Sequence, residues 1–165
     1  MVLSAWLPLL AVIAWRDITT RTIPDTASLA LAVLGFTYNL VLYPYGIAFS
    51  VIAAMALFGV LLFLFARGAL GGGDVKLMAA LALGMSALEI WHFVVATAMA
   101  GGVLALLYLL LSRLLPAPSA HPAASNILGR LARVEVWRIR RRGPLPYGVA
   151  IAAGCVTILL QRALA

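Results

Sequence analysis

The chain has 165 residues, of which 65% are apolar and 10% charged, with a formal net charge of +7 and a mean hydropathy of +1.10. Soluble domains run at about 45–50% apolar and about 25% charged, so an ordinary water-soluble globule, a disordered tail and a disulfide scaffold are all excluded. The composition is that of a membrane protein. The basic residues stand between apolar blocks, which points to membrane orientation and anionic headgroups and away from nucleic acid as a partner.

In chain order the apolar blocks are Val2–Trp15, Ala27–Tyr43, Gly46–Ala66, Val75–Leu88, Trp91–Leu111 and Val149–Leu160. Open strands leave backbone groups unsatisfied in hydrocarbon, so each block reads as a helix. The expectation is an all-α, polytopic bundle of about six transmembrane helices, forming a single domain over 1–165. The first block lacks the basic residues that precede a cleaved signal; Arg16 and Arg21 follow it instead. Six spans then put both termini outside and the loops 16–26, 67–76 and 112–147 on one side. Those loops hold eleven of the twelve Lys and Arg residues, leaving only Arg162 opposite. The excess marks that side as cytoplasmic and the compartment as the inner membrane.

The loop 112–147 is the one sizeable polar segment. Its Pro116–Pro122 stretch is a Pro/Ala linker, and Arg138, Arg140, Arg141 and Arg142 suit an interfacial segment on anionic lipid. Cys155 is the sole cysteine and lies in an apolar run, so no disulfide is expected. His92 and His121 have no carboxylate or cysteine at ligand spacing, and neither a metal nor a cofactor is expected.

Only five acids occur: Asp17, Asp25, Asp74, Glu89 and Glu135. An ionisable residue at a span costs several kcal/mol and needs a reason. Asp17 and Asp74 end the first and begin the fourth apolar block, at the same depth and side in the six-span layout. Asp74 follows three glycines and suits an N-cap; Asp25 follows Pro24 and suits the same role. Glu89 and Glu135 read as solvated or paired. Asp17 at a helix C-terminus opposes the macrodipole, and capping does not explain it. Two carboxylates sharing a water cannot both ionise, so one acts as base and the other as acid. That is the equipment for attacking a peptide carbonyl with water.

These residues carry a family resemblance. Asp17, five residues, then Ile23-Pro24-Asp25, together with Gly71-Gly72-Gly73-Asp74-Val75-Lys76, resembles the type IV prepilin peptidases, intramembrane aspartyl proteases with a GxGD motif. Pro146-Tyr147-Gly148-Val149-Ala150-Ile151-Ala152-Ala153-Gly154 resembles that family's last span. The closest likeness is to short members that process Flp-type pilins of tight-adherence pili. The resemblance implies that Asp17 and Asp74 are catalytic, that Gly71 and Gly73 shape the turn, and that Lys76, Ile23 and Pro24 support the site. It implies a prepilin substrate cleaved after a leader glycine at the cytoplasmic face. No CxxC pair occurs, so peptidase activity without methyl transfer is expected. A preflagellin-type peptidase is the near alternative. A proton carrier and a non-catalytic scaffold of a pilus secretion system are the distant ones. HExxH is absent, and Ser86 with His92 only faintly echoes a serine protease.

Overall fold

The computed structural model describes residues 2–114, 136, 139 and 145–164. Six helices account for nearly all of them: α1 (Val2–Thr20), α2 (Asp25–Leu42), α3 (Ile47–Ala66), α4 (Gly72–Ala82), α5 (Ala87–Leu114) and α6 (Tyr147–Leu164). No strand occurs among the described residues. The chain divides into two compact units, one of Met1–Ala100 with Pro146–Ala165 and one of Gly101–Leu145. Glu135 and the arginines 138, 140, 141 and 142, with their expected headgroup contacts, lie outside the described residues.

Four of the helices, α2, α3, α5 and α6, are long and apolar enough to cross a membrane. The expected six spans are therefore corrected to about four. The fourth apolar block does not form one helix. It stops at Ala82 in a turn where Gly84 N–H donates to the Leu81 carbonyl and Met85 N–H to that of Ala82. Eleven residues at 1.5 Å each reach roughly 16 Å, about half of the ~30 Å hydrocarbon layer. The next helix begins afresh at Ala87. Its cap is reciprocal: Ser86 N–H donates to Glu89 Oε2 at 2.7 Å and Glu89 N–H to Ser86 Oγ at 3.4 Å. α1 ends in Arg16-Asp17-Ile18-Thr19-Thr20, where charge and hydroxyls replace the apolar pattern.

The short helix is the centre of the first unit. α4 packs against α2, α3 and α6, while α1 packs against α6 and α2. Its Val75, Leu77, Met78, Ala80, Leu81 and Ala82 are all buried. Burial of this kind explains how an 11-residue helix persists, since packing and not intrinsic propensity holds it. The surrounding helices turn large apolar side chains outward, among them Leu29, Val33, Phe49, Ile52, Val60 and Phe63. In water that surface would aggregate; in a bilayer it is the solvent-facing side. Close approach at one end depends on two glycines. A Cβ on Gly35 would lie 2.9 Å from the Gly84 nitrogen, and Trp6 fills the adjoining space.

Candidate active site

Asp17 belongs to the buried face of α1. Trp6, Leu10 and Ile13 lie on one stripe at helical spacing, all within 2% of full burial, and Asp17, four residues beyond Ile13, extends the stripe at 6% exposure. A carboxylate carried into the core this way needs compensation. It comes from another helix. The backbone N–H of Gly148, in the first turn of α6, donates to Asp17 Oδ2 at 2.7 Å. That N–H is among the donors a helix N-terminus leaves without an intrahelical partner, so Asp17 caps α6 from across the bundle. That one charge-assisted bond favours the ionised carboxylate, and burial of the side chain opposes it. The geometry also requires glycine at 148, where an added Cβ would sit 2.9 Å from Asp17 Oδ2 and 3.0 Å from its Cβ and Cγ.

α1 ends just beyond. Arg21 takes a left-handed conformation, φ 56°, and its N–H donates to the Asp17 carbonyl at 3.2 Å. The chain then passes through Ile23 to Pro24, which has φ −65° and starts α2 by accepting from the N–H groups of Ala27 and Ser28. Pro24 thus sets the entry to the second helix, as its fixed φ suits.

Asp74 stands on the buried stripe of α4, ahead of Leu77, Met78 and Leu81. It is not the N-cap expected of it. That position is Gly71, and Asp74 lies three residues on, where its carboxylate accepts the Gly71 backbone N–H. This is the back-reaching half of a capping box. Asp74 lies outside the four spanning helices, and its pKa is pushed up from 3.8 to about 6. Burial is the main cause and the Asp17 carboxylate the second, partly offset by the Gly71 N–H. The two acids are therefore within electrostatic reach of each other. Glycine at 71 provides room: a Cβ there would come within 3.0 Å of Asp74 Oδ2. Its φ of −76° is open to any residue, so space and not a special turn is what Gly71 offers. Gly73 lies against Ile23, whose side chain would be 3.4 Å from an added Cβ.

The remaining expected residues separate from the pair. Lys76 Nζ donates to Asp25 Oδ1 at 3.0 Å, both side chains being more than half exposed. Asp25 is the first residue of α2, not its cap, and makes no capping hydrogen bond there. At the opposite end of α4, Glu89 meets Arg162 through two short bonds, Nε to Oε1 at 2.6 Å and a terminal nitrogen to Oε2 at 2.8 Å. The same nitrogen donates to the Gly84 carbonyl at 2.9 Å, and the guanidinium lies over the Tyr38 ring. Ser86 is the cap of α5, which accounts for it without a role beside His92.

Gly148 is the site residue that pattern reading did not single out, although it stands in the Pro-Tyr-Gly stretch noted above. The available signal was a small residue opening an apolar helix after proline. Its partner, 131 positions away, is visible only in the fold.

Two aspartates on buried helical stripes, one held by a helix N-terminus and one forced toward its neutral form, define a class: a helical membrane protein with an acid pair. The family model of the type IV leader peptidase family matches residues 2–109, and the chain belongs to that family. Membership makes it a peptidase and a multi-pass membrane protein. The matched segment carries Asp17 and Asp74 and ends before α6. No curated protein and no solved structure matches the chain.

Proposed function

We propose that this protein is an intramembrane aspartic endopeptidase that removes the basic leader from Flp-like type IV prepilins at the cytoplasmic face, using Asp17, Asp74 and one water. The observation that supports this is two acids within electrostatic reach of each other and in unlike surroundings. Asp17, under the Gly148 N–H, is suited to remain ionised and draw a proton from water. Asp74, whose pKa is about 6, is suited to hold the proton that polarises the scissile carbonyl and then passes to the leaving amine. The water oxygen bonds to the carbonyl carbon, the C–N bond breaks, and the proton taken by Asp17 resets the pair.

Support for the cytoplasmic side comes from α2 and α3, both long enough to span. The segments flanking the start of α2 and the end of α3 then share a face and carry Arg16 near the end of α1, Arg21 and Arg67 in the connections, and Lys76 in the first turns of α4. A basic leader emerging on that side would reach the acid pair without crossing the bilayer.

The test is co-expression with Flp-type and type IV prepilins, following leader removal by gel shift and mass spectrometry. Wild type is expected to cleave after the leader glycine. Asp17→Asn and Asp74→Asn, inserted at normal levels, are expected to lose at least 1,000-fold in rate, on the order of 4 kcal/mol of barrier. Cleavage by either variant at near wild-type rate would overturn the two-aspartate mechanism. A preflagellin cleaved in preference to every prepilin would assign the enzyme to the archaeal-type substrate.

A further inference from the structure

Three consecutive carbonyls in the break after α4 are held by side chains from two other helices. Asn39 Nδ2, on α2, donates to the Leu83 carbonyl at 3.3 Å and to the Met85 carbonyl at 3.3 Å. Between them the Gly84 carbonyl accepts from Arg162, on α6, at 2.9 Å. Asn39 is 2% exposed and sits in a helix otherwise apolar enough to span. An amide placed there is costly unless its donors are used. Both bonds go to one short turn.

The rest of α4 supplies little direction. Val75, Leu77, Met78, Ala80, Leu81 and Ala82 pack it by apolar contact, which is non-directional and resists separation more than sliding or rotation. At its start the Lys76–Asp25 bond is exposed and holds weakly. Asp74 stands nine residues before Leu83, about 14 Å along the helix. A carboxylate about 5 Å off the axis moves roughly 2 Å when the helix turns by about 20°. A misplacement of about 1 Å can cost on the order of 100-fold in rate. The far end of α4 is thus a sensitive place to hold it.

α6 links this hold to the other acid. Its Gly148 N–H caps Asp17 at one end, and Arg162, fourteen residues on, grips the turn. One stretch of helix, about 21 Å long, therefore carries a support for each aspartate. We propose that Asn39 and Arg162 are positioning residues, which set the depth and rotation of α4 and so keep Asp74 within reach of Asp17. The expected effect on rate rests on the peptidase reading; the placing of Asp74 is readable without substrate.

Asp74 reports its own position. Burial and the Asp17 charge both raise its pKa, so a movement of α4 that loosens either one lowers it. The helices packed against α4 carry Asp25 and Tyr38 on α2, no charged residue on α3, and Tyr147, Cys155 and Arg162 on α6. Asp17 is the charge that acts on Asp74.

Full-length protein labelled with carbon-13 at its aspartate carboxyls would be titrated by NMR in detergent. Asp17, Asp25 and Asp74 are the three reporters, and Asp74→Asn assigns the signal. Asn39→Leu keeps the volume and removes both donors. Arg162→Lys keeps a charge beside Glu89 and gives up the fork that also reaches Gly84. Each variant is expected to lower the Asp74 midpoint by about 0.5 pH unit or more. Each is also expected to lower kcat for a prepilin about 10- to 100-fold, with KM within about 2-fold of wild type. A merely structural role would give a lower melting temperature and nothing more. An unmoved or raised midpoint, or an unchanged kcat, in a variant that folds would overturn the proposal. A lowered midpoint beside a wild type that cleaves no prepilin would instead sink the peptidase reading and leave the positioning intact.

Discussion

Asp74 is pulled two ways, toward the neutral acid by burial and by Asp17, and toward the anion by the Gly71 N–H. The first pair wins, and the sign has consequences. The folded protein binds this proton more tightly than the unfolded chain does, so the contribution of Asp74 to stability is greatest below about pH 4. It declines as pH rises from 3.8 to about 6 and stays low above that. Replacing the acid with an amide removes the cost at neutral pH and above. Asp74→Asn is therefore expected to lose cleavage while melting higher than wild type at about pH 8, by on the order of 1 kcal/mol after solvent screening, with no gain near pH 4. Thermal unfolding in one detergent at both pH values checks this. Cleavage by wild type is expected to fall as pH rises past about 6, where Asp74 gives up its proton. Gly148 makes the complementary case. Gly148→Ala drives a methyl group against the Asp17 carboxylate, at about 1–3 kcal/mol in stability, and should reduce cleavage at least 10-fold. Gly59→Ala, where nothing lies within 4 Å of the added carbon, should be neutral or stabilising by about 0.5 kcal/mol.

At the scale of elements, α4 is short and held at both ends. The acid pair and the Gly71 turn lie at its start; beyond its end Arg162 ties the Gly84 carbonyl to Glu89 at the head of α5. The side chains of Arg162 and Glu89 are 11% and 25% exposed, so the forked pair is largely desolvated. Removing one partner strands the other charge. Arg162→Met is expected to cost about 3 kcal/mol and the double change with Glu89→Gln distinctly less; a double-mutant cycle by thermal unfolding measures the difference. Lys76–Asp25 is exposed, and Asp25→Asn should cost under about 1 kcal/mol. Nothing in the order of apolar residues marked the end of α4. Within the block Val75–Leu88 the Gly84-Met85-Ser86 stretch with Glu89 is a helix-start signature, and the break there coincides with the close passage of Gly84 against Gly35 and Trp6. Arg162 did carry a signal, since a lone arginine closing an apolar helix requires a partner. Several carbonyls and four other acids occur in the chain, and spacing alone does not choose Glu89.

For the molecule as a whole, four helices long and apolar enough to cross a membrane predict behaviour that does not depend on the chemistry of the site. The protein is expected to stay with membranes through high salt and alkaline carbonate and to leave only with detergent. Cys155, fully buried, should resist a membrane-permeant maleimide in the folded protein and react on denaturation; labelling at an unimpaired rate in bilayers would contradict the packing of α6. Membrane class, helical architecture and the family were all determined by the sequence itself. Each rests on what is local: apolar blocks too long for a soluble core, and charges where lipid makes charge costly. The tertiary structure alone decided the number of spanning helices, the donor to Asp17, the partner of Glu89 and the use of Gly71 for room instead of for a turn. Those depend on how closely two helix backbones approach and on which unsatisfied N–H meets which carboxylate, and no spacing along one chain encodes a contact between residues 131 positions apart.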